Sequence, residues 1–270
     1  MNEQSTTPIR PPIPGVKHVL VVASGKGGVG KSTTAANLSV AMTQEGARVG
    51  LMDADIYGPN VPLMMGAKDK PEMSEDGQMQ PLERHGVKFI SLGLLAGDGV
   101  PVIWRGPMLA KMVTQFLHDV AWAPLDCLVV DLPPGTGDVQ LTLTQTAPID
   151  GAIIVTTPQP VALEDVRRGV QMFKTVDVPI MGLIENMSSF VCSKCETKTP
   201  IFGEGGGRQT AEFYEIPYFG EVPIDSRLQQ GGENGIPVAA AEPSSEVARI
   251  YRSFAQKALN RLGEETLLVN

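Results

Sequence analysis

The chain has 270 residues, a formal net charge of −8, 42% hydrophobic residues and three cysteines. So acidic a balance excludes a general nucleic-acid footprint, three cysteines exclude a disulfide framework, and no apolar run approaches the roughly 18 residues of a membrane span. The hydrophobic share suffices for one large core. No secretory leader is recognisable before the first core strand, so the expected location is a reducing, cytoplasmic one that leaves thiols free for metal.

Residues 1–16 hold four prolines and few core residues, which predicts a flexible N-terminal arm. "HVLVVAS" (18–24) is a continuous apolar run, as expected of a strand buried on both faces. A glycine-rich loop follows, then "STTAANLSVAMTQEG", a helix closed by Gly46. "RVGLMDAD" (48–55) predicts a second buried strand and "IYGPNVPLMMG" a loop. Residues 67–86 predict an excursion with a hairpin, "VKFISLGLL" a strand, and "GPMLAKMVTQFLHDVAW" a helix. "LDCLVVDLPPG" (125–135), "GAIIVTTP" (151–158) and "IMGLIENM" (180–187) repeat the buried-strand pattern, with the helical "VALEDVRRGVQMFKTV" between the last two. A loop (188–207), a short helix, the strand-like "IPYFGEVP" and a terminal helix (244–262) complete the chain. Strands alternating with helices predict an α/β domain over residues 17–263. Its sheet is mostly parallel with helices on both faces, and 264–270 form a tail.

The loop after the first strand reads G-x-x-x-x-G-K-S. Gly25, Gly27, Gly28 and Gly30, with Val29 among them, let backbone N–H groups turn inward on phosphate oxygens at a helix N-terminus. Lys31 then reaches the β- and γ-phosphates, Ser32 ligates Mg²⁺, and Thr33 contacts the α-phosphate. Asp131 ends an apolar strand, the place from which a carboxylate reaches the Mg²⁺ shell, or else it is a strand-terminal cap. Asp53 and Asp55 end another strand. One orients the attacking water and the other a metal-bound water, or either is a turn residue. Asp138 is an N-cap or a γ-phosphate sensor. Lys26 is a second cation inside the loop, solvated or catalytic.

Cys192 and Cys195 stand in C-x-x-C spacing, which brings two sulfurs onto one ion or cluster edge. Cys127 lies within a buried strand and reads as a core residue, while His18, His85 and His118 are remote in sequence. One chain thus offers two good ligands and two chains offer four. The residues leave zinc, an iron–sulfur cluster and a redox dithiol open, although the redox motif opens a helix and this one continues as loop.

"GKGGVGKS" (25–32) resembles the deviant Walker A loop of MinD/ParA-type (SIMIBI class) P-loop ATPases, with Lys26 at the signature-lysine position. "DADIYGPN" (53–60) and "DLPPGTGD" (131–138) resemble the switch I and switch II segments of one branch, the Mrp/ApbC-type iron–sulfur cluster carriers. "VPID" (222–225), "GIPV" (235–238) and "EPSSEVA" (242–248) resemble that branch too. The resemblance implies that Lys26 reaches across a homodimer to the partner's nucleotide, that Asp55 positions water, that Asp131 is the Walker B acid and that Asn186 reads adenine. It also implies ATP and Mg²⁺ as cofactors, a [4Fe–4S] cluster bridging the dimer with zinc as its rival, slow switch-like ATP hydrolysis, and apo iron–sulfur proteins as recipients. A spatial-organisation ATPase on DNA or membrane is the competing function. The acidic charge, the cysteine pair and the weakly amphipathic terminal helix speak against it and against nucleic-acid or stable membrane association. A zinc-clamped dimeric chaperone-type ATPase is the third.

Overall fold

The computed structural model describes residues 10–55, 58–94, 106–135 and 138–269. The chain alternates β1 (Val16–Ala23), α1 (Lys31–Gln44), β2 (Val49–Asp53) and the one-turn α2 (Val61–Met64). A hairpin of β3 (Leu82–Arg84) and β4 (Val87–Ser91) precedes α3 (Gly106–His118), β5 (Leu125–Asp131), α4 (Asp138–Thr146), β6 (Gly151–Thr156) and α5 (Pro160–Thr175). The last third holds β7 (Ile180–Val191), β8 (Lys198–Thr199), α6 (Gly206–Tyr214), β9 (Tyr218–Ile224), α7 (Ser226–Asn234), α8 (Val238–Ala241) and α9 (Glu246–Val269).

These strands form one sheet in the order β3-β4-β2-β5-β1-β6-β7, with β8 and β9 both on β7. Pairings among β4, β2, β5, β1, β6, β7 and β9 are parallel; only β3 and β8 run antiparallel. This is the expected mostly parallel sheet with helices on both faces. Alternation along β1 sorts its apolar run onto two cores. Leu20 and Val22 pack with Leu38 and Met42 of α1 and Tyr251 and Phe254 of α9. Val19 and Val21 pack with Phe116 of α3 and Phe173 of α5. A run apolar at every position is what burial on both faces demands.

Several boundaries differ from the sequence expectation. Residues 1–9 of the expected arm lie outside the described ones, but its second half is packed. Ile13 is buried in the second core, and Arg10 donates to the Val176 carbonyl at 3.1 Å. The expected 188–207 loop is interrupted by a short hairpin, while 192–197 and 200–205 are turn and irregular chain. β7 continues to Val191 and returns as β8, pairing Phe190 with Thr199 and Val191 with Lys198. α7 and α8 were not foreseen: "SRLQQGGEN" and "VAAA" are short and carry weak apolar periodicity. α9 continues to Val269, past the break expected at residue 263. Among the described residues no helix is long and apolar enough to cross a membrane.

A candidate nucleotide site joined to a cysteine hairpin

The loop between β1 and α1 takes its shape from glycine. Gly28 and Gly30 have φ of 80° and 84°, a left-handed conformation that residues with a Cβ rarely adopt. Gly30 also lies so close to the Asn186 amide nitrogen that a Cβ there would collide with it. Gly30 caps α1 without any side-chain hydrogen bond, so the N–H groups and positive dipole end of a 14-residue helix remain available to an anion.

Beneath this helix end a cavity of 180 Å³ is lined by Lys26, Gly28, Lys31, Ser32 and Asp55, among others. A second cavity, of 370 Å³, adjoins it through Gly30, Thr33 and Met64 and is walled by Asn186, Met187, Pro223 and Leu228. The first is polar and cationic, as phosphates require; the second is largely apolar, as a base requires.

The expected phosphate-site residues converge here. Lys31 is buried and its Nζ lies 2.5 Å from Asp131 Oδ1 and 3.3 Å from Ser32 Oγ. The pair is worth roughly 7 kcal/mol in gross attraction at an effective dielectric near 20, a gain that desolvation of both groups largely offsets. Asp131 Oδ2 is buried without a hydrogen-bond partner, a free acceptor of the kind a hydrated Mg²⁺ satisfies. Burial pushes the Asp131 carboxyl up while Lys31 pulls it back. Val29, buried, offers its carbonyl to Asn186 Nδ2 at 2.8 Å, which ties the loop to β7. Lys26 Nζ donates to Gln159 Oε1 at 3.2 Å, within its own chain.

The two strand-end aspartates occupy different environments. Asp55 lines the cavity and accepts from the Gly58 N–H at 3.1 Å. Asp53 is fully buried behind it, with Oδ1 accepting from the Asp55 N–H at 3.0 Å and Oδ2 from the Ser91 hydroxyl at 2.8 Å. Both Asp53 oxygens are thus used in holding the loop. Of the segments resembling the switches, Ile56, Tyr57, Thr136 and Gly137 lie outside the described residues, as does the Asp138 side chain.

Burial, reinforced by Asp131, pushes the Asp53 carboxyl up to about 7 against the pull of its hydrogen bonds and Lys31. Folded protein then holds a proton that the unfolded chain releases near pH 4, so stability falls as pH rises from about 4 to about 7. We expect nucleotide-free protein to lose on the order of 2–4 kcal/mol over that range through this group. Thermal melts at pH 5 and pH 8 check it. Asp53→Asn should flatten the difference, and an identical pH slope in the variant contradicts the assignment.

The cysteines sit on the β7–β8 hairpin. The Cys192 N–H donates to the Thr197 carbonyl at 3.1 Å and the Glu196 N–H to the Cys192 carbonyl at 2.8 Å, with Glu196 at φ 56°. This is a strand turn, not a helix start. Cys195 is exposed, and its thiol is held below the ordinary range by Thr197, with Cys192 adding to the effect. That favours the thiolate a metal needs. Phe190, Val191 and Ile201 beside it are exposed apolar residues. Cys127 is fully buried in β5 and burial pushes its thiol far up, as suits a core residue. Among the described residues no group of three or more His, Cys, Asp or Glu side chains is placed to hold a metal ion.

One strand touches both features. Asn186 on β7 contacts the phosphate loop, and Cys192 follows the same strand's last residue. Between them the register against β9 shifts, and Met187, at φ 57°, is turned into the wall of the larger cavity. Sequence reasoning missed Met187, Pro223, Leu228 and Gln159 as site residues. Only Pro223 stood in a quoted motif, and the other three carry no local signal.

Comparison with known proteins agrees with this geometry. The profile of a ParA-group family described as the NUBPL iron-transfer P-loop NTPase matches residues 15–259. A protein of Escherichia coli (strain K12) named iron–sulfur cluster carrier protein is 47% identical over 254 residues, which covers 94% of this chain and 69% of that one. The Mus musculus protein named iron–sulfur cluster transfer protein NUBPL is 46% identical over 257 residues, covering 94% and 81%. The structure of a nucleotide-binding protein from Archaeoglobus fulgidus in complex with ADP matches with a TM-score of 0.76 at 36% identity, covering 88% of this chain and 93% of that one. The cavity under the α1 N-terminus, the Lys31–Asp131 pair and a match across the whole domain place this chain in the ParA/NUBPL family of iron-transfer P-loop NTPases.

Proposed function

We propose that two copies of this chain form an ATP-controlled dimer that holds a [4Fe–4S] cluster between paired Cys192/Cys195 hairpins and delivers it to apo iron–sulfur proteins in the cytoplasm. The observation that carries this is the exposed two-thiol hairpin at the end of the strand whose Asn186 touches the nucleotide loop. Two thiols are half of what a tetrahedral or cubane site takes, and a second copy supplies the rest. Relatives named as cluster carriers support the cargo.

Each residue then has a role. The Gly25–Gly30 loop, including Gly27, Gly28 and Val29, wraps the phosphates with its N–H groups. Lys31 leaves Asp131 for the β- and γ-oxygens, and Asp131 turns to the Mg²⁺ shell beside Ser32. Ser32 and Asp131 would hold Mg²⁺ here, and the ion would supply stabilisation of the charge that develops on the phosphates. Thr33 contacts the α-phosphate, Asn186 reads adenine in the apolar cavity, and Asp55 orients the attacking water. Lys26 acts on the nucleotide of the other copy, so hydrolysis waits on dimerisation and is slow and switch-like. In domain terms, residues 10–269 form the ATPase unit and the β7–β8 hairpin is its metal-binding part.

Four contacts support coupling between the sites. On β7, Asn186 faces the loop while its neighbour Glu185 accepts from the Gly207 N–H at the start of α6, beyond the hairpin. Gly206, next to Gly207, packs on the Pro158 carbonyl, and Gln159 beside it holds Lys26. Anaerobic reconstitution with iron and sulfide should load four irons per two chains and change ATP affinity. Coupling of sites is reciprocal, so ATP must alter cluster retention by the same factor. Equal ATP affinities for apo and loaded protein would sink the coupling; stoichiometric zinc without iron uptake would favour the zinc-clamped alternative.

A further inference from the structure

The hydrogen bond between Lys26 and Gln159 serves none of the hydrolysis steps above. Gln159 stands directly before α5 with extended backbone (φ −62°, ψ 132°), and Pro160 opens the helix, so its position is held. The backbone under Lys26 is held as well. Ser24 Oγ donates to the Lys26 carbonyl at 3.0 Å, and Gly25 lies against Asp165 of α5 with no room for a Cβ. Loop and helix start are one packed unit, in which the Gln159 amide oxygen holds the ammonium.

Its partner is a neutral amide, not a carboxylate. A neutral amide oxygen lacks the negative charge of a phosphate oxygen and attracts an ammonium less strongly, so phosphate oxygens outcompete it. We propose that Gln159 is the positioning residue of Lys26: in a single chain it parks the ammonium in cis, beside its own phosphate cavity, and releases it when a second copy presents its nucleotide. This rests on the reading of Lys26 given above.

The test is steady-state ATP hydrolysis by the full chain with saturating Mg-ATP, for Gln159→Glu and Gln159→Met, in both the wild-type and Lys26→Ala backgrounds. Gln159→Glu turns the latch into a charge pair and should lower kcat roughly three- to tenfold. Gln159→Met removes the acceptor at similar size and should raise kcat roughly twofold. With Lys26→Ala neither substitution should matter, because the two residues act as one unit. Equal effects in both backgrounds would mean charge repulsion or packing and overturn the assignment. So would Gln159 variants with wild-type kcat while Lys26→Ala is slow; in that case Gln159 alone is refuted. Should Lys26→Ala hydrolyse ATP at the wild-type rate, the reading of Lys26 falls first, and Gln159 with it. Melting curves confirm that each variant is folded.

Discussion

Lys31→Ala is expected to reduce ATP hydrolysis by at least about a hundredfold, because it removes the one buried cation, among the described residues, that lines the polar cavity, where the proposed role is to meet charge developing on the phosphates. The same change strips Asp131 of its counter-ion, and Asp131 is wholly buried with Asp53 behind it. Breaking a buried pair by removing one partner costs about 3–5 kcal/mol, less whatever Asp131 recovers by taking up a proton. Loss of activity by itself would therefore not separate catalysis from folding. The double variant Lys31→Ala/Asp131→Asn does separate them. It removes the stranded charge and should regain most of the melting temperature while remaining inactive. Phosphate release and thermal melts on the three proteins check both halves. Unchanged turnover in Lys31→Ala contradicts the site assignment.

Cys192→Ala is the second large effect expected. In the proposed dimer each copy contributes two thiols, so the variant loses two of four ligands at once, and reconstitution with iron and sulfide should yield no stable visible chromophore. The fold should be unaffected: Cys192 is at a hairpin turn whose backbone bonds to Thr197 and Glu196 do not use the sulfur. Basal ATP hydrolysis should persist, since the phosphate cavity contains neither cysteine. Cys127→Ala is the matched control. It leaves a small cavity in the core, costs about 1–2 kcal/mol, and should still load cluster. A chromophore that survives Cys192→Ala, or one that disappears with Cys127→Ala, places the cluster elsewhere.

Much of this was legible in the residues. The short, mostly apolar runs at 18–24, 125–131 and 151–156, rich in β-branched residues and without alternation, pointed to parallel strands covered on both faces. The loop from Gly25 to Ser32 declared its use locally, since both its glycine spacing and its setting between strand and helix lie within one short stretch. The C-x-x-C pair marked a candidate metal site through its spacing.

Other features depended on contacts between segments far apart in the chain. Asp53 and Asp55 are equivalent as letters, yet Ser91, 38 residues away, holds one in the interior and leaves the other at the cavity. The hairpin that carries the cysteines looked like loop, because its polar tip hides the extension of β7 to Val191. Gln159 has no motif at all and matters only because α5 begins beside Lys26, 133 residues earlier in the chain. The sequence by itself determined the fold class and the phosphate loop, since each follows from short-range pattern. Only the tertiary structure decided which aspartate lines the polar cavity, where the apolar cavity lies and what holds Lys26, because those depend on which distant segments the sheet order brings together.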